Sequence, residues 1–187
     1  MLNFIGKYLS QIESSVNLKK PFAWLYAVIA ILNLLNPLLV LYTAVVGNVF
    51  SAPAKWVVFF VIMWIVMAFV ALVSFMLWWD RKDKVSLYAK NDKDEFVITP
   101  VVSHFVQTFG EWVGTWVGVF GFAMSLFGLI FGMSGARMDG PIVGLISAGG
   151  ILGLILFPIS GFLIIVASRF LAEQFRALTA VANNTRK

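Results

Sequence analysis

The chain has 187 residues, of which 60% are hydrophobic and 12% charged, with a mean hydropathy of +0.91. Soluble domains carry about a quarter charged residues, so this is the composition of a membrane protein. The absence of cysteine and the single histidine, His104, exclude disulfides, thiol chemistry, bis-histidine haem ligation within one chain and histidine-rich metal clusters.

The predicted architecture is all-α: a polytopic membrane protein with four transmembrane helices. Residues 1–20 come first, as an interfacial amphipathic helix. Leu2, Ile5, Leu9, Ile12 and Val16 recur at spacings of 3 and 4, which puts them on one face, and Pro21 breaks the pattern. A helix lying on the membrane surface accounts for that face; docking onto a partner subunit is the alternative. Residues 21–79 follow as a first transmembrane pair, 80–100 as a charged loop, and 101–187 as a second, glycine-rich pair with an amphipathic tail.

Four apolar runs reach the ~20 residues that a hydrocarbon core requires: Phe22–Gly47, Trp56–Trp79, Trp112–Met133 and Ile142–Ser168. The first is too long for a signal-peptide core and lacks a cleavage site after a short apolar stretch. No strand alternation speaks for a barrel. Near the middle of the first run, "NLLNPLL" places Asn33 and Asn36, whose amides are expected to bond to neighbouring helices.

Orientation follows from the bases. The N-terminal segment, the central loop and the tail hold 12 Lys and Arg residues, whereas the other two connections hold only Lys55 and Arg137. This asymmetry places both termini and the central loop in the cytoplasm. Trp24, Trp78, Trp79, Trp112 and Trp116 are then expected at the cytoplasmic interface, with Trp56 and Phe50 at the other. The net charge of +5 reflects such loops rather than a nucleic-acid surface. The central loop "DRKDKVSLYAKNDKDEF" balances bases against acids and reads as a solvated connection.

The third run carries small residues at regular spacing. Gly114, Gly118, Gly121, Ser125, Gly128 and Gly132 recur at intervals of 3 and 4, a heptad stripe. Helices in lipid gain little from hydrophobicity and associate by close packing, which small residues permit. The expected partner is the fourth run, through Gly149 or Gly153. Pro158 lies deep in that run and is expected to kink it.

Continued toward the cytoplasm, the stripe becomes Glu111, Gln107 and His104. Glu111 is the one carboxylate inside or at the edge of a predicted span. Its plain reading is a headgroup-level residue paired with Arg169; the alternative is a titrating proton site beside a water path. Taken alone, His104 reads as a surface residue more than as a relay. In the tail, Arg169, Glu173 and Arg176 are spaced to pair along one helix face.

The second half contains "EFVITP" at 95–100 and "FLIIVASRFLAEQFRAL" at 162–178. It resembles a family of small bacterial inner-membrane proteins known as a domain of unknown function, built from an Ile-Thr-Pro start, a two-helix unit and a charged amphipathic tail. The resemblance covers roughly residues 95–180 and implies no activity, catalytic residue or cofactor.

No nucleophile triad, metal cluster or phosphate-binding loop is present, so an enzyme is not expected and no cofactor is implied. The expected function is that of a non-enzymatic subunit or scaffold of a bacterial inner-membrane complex. Its partners would be membrane lipid and other membrane subunits, including copies of itself. The alternative is a small channel or ion-coupled transporter component in which Glu111 titrates.

Overall fold

A computed structural model describes residues 19–88, 98–132 and 141–185, with side chains over 21–85, 99–132 and 150–185. Residues 1–18 of the expected N-terminal amphipathic helix and residues 89–97 of the charged loop fall outside these residues; 80–88 and 98–100 of that loop are helical instead. Within them the chain is almost entirely helical, with no strand. The helices are α1 (Lys19–Val46), α2 (Ala54–Tyr88), α3 (Ile98–Thr115), α4 (Gly121–Ile130) and α5 (Pro141–Thr185). A π-helical turn, Trp116–Phe120, joins α3 to α4 without a break.

Four helical stretches are long and apolar enough to cross a membrane: Pro21–Val46, Ala54–Val85, Thr99–Ile130 and Gly150–Thr185. The protein is therefore an all-α, multi-pass membrane protein. α1 and α2 form a hairpin closed by a tight turn in which Asn48 adopts φ 55°, a left-handed conformation that asparagine tolerates. A second unit packs α3, the π-turn and α4 against α5.

Several helices outrun the bilayer. At ~1.5 Å per residue, the 35 residues of α2 span about 52 Å, against a core of ~30 Å. Its charged end, "DRKDKVSLY", contains neither Gly nor Pro, so nothing stops the helix where the apolar run stops. In α5 the backbone departs from helical geometry at Gly150 (φ 37°, ψ −139°). The chain passes through Pro158 as helix, and the departure from helical geometry at Gly150 lies eight residues earlier, at a residue without a Cβ.

The core gathers at the end of the bundle that carries the arginines. Tyr26, Ala30, Trp78, Val85 and Val101 are buried there, flanked by Phe22, Phe75, Phe105 and Trp112. Tyr26 meets the edge of Trp78 with ring centroids 4.9 Å apart, an orientation favoured by the ring quadrupoles. Trp78, expected at the interface, is instead fully buried.

Candidate functional site

His104, Gln107, Thr108 and Glu111 follow one another at spacings of 3, 1 and 3, so α3 presents them on one face. Glu111 is only 6% exposed. Its Oε1 accepts from Arg169 Nε at 2.8 Å and from Gln107 Nε2 at 3.1 Å, while its Oε2 accepts from Arg81 Nη2. One carboxylate thus ties α2 and α5 to α3. Arg169 is the partner expected from the sequence. Arg81 is an unforeseen one, because the sequence reading ended the second helix at Trp79.

The network extends in both directions. Arg81 Nη1 donates to Thr108 Oγ1 at 3.1 Å, and Thr108 donates to the His104 carbonyl at 2.8 Å. Arg176 donates through Nε to Ser103 Oγ at 3.1 Å and through Nη2 to Gln107 Oε1. Arg169 and Arg176 are seven residues apart and turn the same way, into the bundle. Glu173, expected to pair with them along the tail, is exposed and shares no salt bridge with either among the described residues.

His104 is 4% exposed and shares a 2.9 Å hydrogen bond between its Nδ1 and Tyr26 Oη. It is therefore an interior residue rather than the surface residue that its isolation in the sequence suggested. This bond brings α1 into the cluster, so side chains from all four spans meet at one end of the bundle.

Deeper in the bilayer several polar groups bond in pairs. Trp112 Nε1 donates to Asn33 Oδ1, and Asn33 Nδ2 to the Ile29 carbonyl, at 2.9 and 2.8 Å. Trp116 Nε1 donates to Ser74 Oγ, and Trp64 Nε1 to the Pro37 carbonyl, both at 2.9 Å. Trp112 and Trp116 were expected to anchor the interface; they serve instead as donors that join helices. In hydrocarbon such a donor has no water to turn to, so an internal acceptor is the favourable solution.

The small-residue stripe faces α5 over part of its length. A Cβ on Gly114 would lie 2.5 Å from the Gly161 carbonyl oxygen, and one on Gly121 would lie 2.6 Å from the Phe157 ring. Gly118 packs on Gly161 Cα at 3.6 Å, measured from the same ideal Cβ position. Gly153 faces Ser125, whose buried Oγ has no hydrogen-bond partner. The contact partners of Gly118 and Gly121 are thus Gly161 and Phe157, one to two turns beyond Gly153. Gly149 falls just outside the part of α5 whose surroundings are described. Gly110, not foreseen as part of the stripe, extends it and presses on Ser168. Gly128 and Gly132 meet no described atom within 4 Å; Gly132, at φ 66°, closes the helix instead.

Two grooves open on the bundle. One, of about 590 Å³, lies near the Asn48 turn between Val40, Trp56, Phe60, Met63, Phe120 and Met124. The other, of about 900 Å³, lies between α1 and α3 and is bordered by Leu32, Leu35, Asn36, Leu39, Trp112 and Trp116. Among the described residues no group of His, Asp and Glu could hold a metal ion. In comparisons with known proteins, no family model, curated protein or solved structure matches the chain.

Proposed function

We propose that this protein is a non-enzymatic integral subunit or scaffold of a bacterial inner-membrane complex. The Glu111 cluster is its internal staple, and its outward helix faces meet lipid and partner subunits. The observation that carries this reading is the occupation of Glu111. Both of its oxygens are engaged by side chains of this chain, two of them guanidinia from different helices. A transport carboxylate must exchange its proton or ion with a path, and this one is committed to holding three helices together. The mid-membrane polar groups Asn33, Ser74, Trp112 and Trp116 are likewise spent on helix-to-helix bonds.

The asymmetry of Lys and Arg supports placing the Arg81–Glu111–Arg169 end, with both termini, at the cytoplasmic face. The test is ion and proton flux in vesicles containing the purified protein. No flux above protein-free vesicles is expected. A flux abolished by Glu111→Gln would overturn the reading in favour of an ion-coupled transporter.

A further inference from the structure

The groove near the Asn48 turn has a definite length and a charged mouth. Trp56, Phe60, Met63 and Met67 follow one another at spacings of 4, 3 and 4, so one face of α2 supplies its floor. Phe120 of the π-turn and Met124 of α4 complete it from the other unit. Two of its rings, Phe59 and Phe60, are held by edge-to-face contacts with Phe131 and Phe50, at centroid distances of 5.9 and 5.8 Å. The groove is therefore preformed. Its one deep polar group, the Trp64 indole, is already bonded to the Pro37 carbonyl.

Trp56 to Met67 is eleven residues, about 16 Å of helix, and the hydrocarbon of one leaflet is ~15 Å deep. Spread over that length, about 590 Å³ makes a trough roughly 7 Å across, too narrow to seat a helix of 10–12 Å. A single hydrocarbon chain fits both its length and its width.

The mouth lies where a headgroup would be. Lys55, in the first turn of α2, holds its Nζ 5.5 Å from the centroid of the Trp56 ring. It is exposed and has no ion-pair partner among the described residues. The Trp56 indole N–H likewise has no acceptor among them. Residues 46–60 and 121–132, which form this end of the described bundle, contain neither Asp nor Glu.

We propose that this groove binds one acyl chain of a net-negative phospholipid from the leaflet at the Asn48 end, with the lipid phosphate on Lys55 and the Trp56 indole. The inference goes beyond the subunit reading and stands whether or not that reading holds. An ammonium is a point charge suited to phosphate. A zwitterionic headgroup would bring a cation of its own beside Lys55, with no carboxylate at this end to receive it. In a solvent of lipid tails the chain gains from close packing rather than from hydrophobicity, and a preformed trough supplies those contacts.

The experiment uses full-length protein in phosphatidylcholine vesicles that contain a small share of phosphatidylglycerol with a photoreactive group midway along one chain. After illumination, peptide mass spectrometry locates the cross-links. Labelling is expected at Met63 and Met124 in excess of Leu156, an exposed residue of α5 in the same leaflet. Unlabelled phosphatidylglycerol should compete for the groove positions; added phosphatidylcholine or inorganic phosphate should not. Lys55→Gln should lower groove labelling about five-fold, the effect of one base near an anionic surface, and leave Leu156 unchanged. Lys55→Arg should retain the labelling.

A second variant leaves Lys55 in place. Met124→Trp fills the trough, and labelling at Met63 should fall with it. Groove labelling no higher than at Leu156, equal competition by phosphatidylcholine, or unchanged labelling in Lys55→Gln would each overturn the proposal. Displacement by millimolar inorganic phosphate would do so too, because Lys55 would then be an ion site without a lipid. The flux test of the subunit reading does not bear on any of these outcomes.

Discussion

Gly161 of α5 lies against Gly114 of α3 at backbone distance: a Cβ on Gly161 would be 2.5 Å from the Gly114 carbonyl oxygen and 2.7 Å from the Gly118 amide nitrogen. Both obstructing atoms belong to a helical backbone, which cannot rotate aside as a side chain can. Nothing larger than hydrogen fits at this crossing. The reward is that backbones and their Cα–H groups come within dispersion range, the main source of helix association where solvent is as apolar as the side chains.

Gly161→Ala should therefore force the two helices apart. Overpacking of this kind costs about 1–3 kcal/mol, and the thermal aggregation midpoint in detergent should fall. Gly128→Ala is the matched control, on the stripe that Gly161 faces, since a Cβ there meets no described atom within 4 Å. It should leave the midpoint unchanged or raise it, because alanine favours helix over glycine by about 1 kcal/mol. Equal losses for the two substitutions would mean that the stripe does not pack as described.

The ionic cluster predicts an order of severity. The side chain of Glu111 is 8% exposed and that of Arg81 16%, whereas Arg169 is 56% exposed. Removing one partner of a buried pair strands the other charge and costs about 3–5 kcal/mol, while exposed pairs contribute about 0–1 kcal/mol. Glu111→Gln should be the most destabilising change, Arg81→Gln next and Arg169→Gln least. Melting at raised salt should shrink the Arg169 effect and leave the Arg81 effect in place. Comparable losses for Arg81→Gln and Arg169→Gln would contradict the asymmetry.

Asn33→Leu should leave the Trp112 indole without an acceptor inside the bilayer. An interhelical bond of this type is worth about 0.6–2 kcal/mol. Part of the loss should return in the double substitution Asn33→Leu with Trp112→Phe, which removes the orphaned donor along with its acceptor. Unfolding in detergent would show this as non-additivity, and strict additivity would mean that the bond is not made.

The proposed orientation is tested with single cysteines. Ser51→Cys and Ser86→Cys lie at opposite ends of α2 and differ only in which side of the membrane they reach. An impermeant thiol reagent applied to intact cells should label Ser51→Cys and spare Ser86→Cys. The reverse pattern would invert the topology.

The four spans could be read from the sequence because each is an uninterrupted apolar run long enough for the bilayer, a signal set by lipid thickness. The ends of the helices could not. Arg81 and its neighbours look like a loop by charge alone, yet a helix leaves the membrane without needing a new reason to continue, and nothing in "DRKDKVSLY" stops it. That extension is what carries Arg81 to Glu111. His104 misled for a related reason. Its partner, Tyr26, is 78 positions away, and no local pattern announces such a pairing. Several tryptophans were assigned to an interfacial belt by their usual habit, whereas two of them, Trp112 and Trp116, donate to acceptors on other spans, as does Trp64. Spacing showed the small-residue stripe but not where it ends, since Gly128 continues the period with no described neighbour to touch.

The order of the cluster along the chain bears on how the protein is made. Synthesis runs from the N-terminus, and the third span brings Glu111 to the bilayer while the segment that carries Arg169 and Arg176 has yet to emerge from the ribosome. A carboxylate buried at the membrane edge loses hydration that a counter-ion must offset. Arg81 precedes Glu111 by 30 positions, on a helix already synthesised when Glu111 arrives. The newborn segment therefore has a counter-ion waiting for it. Arg81 is thus the counter-ion that precedes Glu111 in the chain, and Arg169 the one that follows it, 58 positions later.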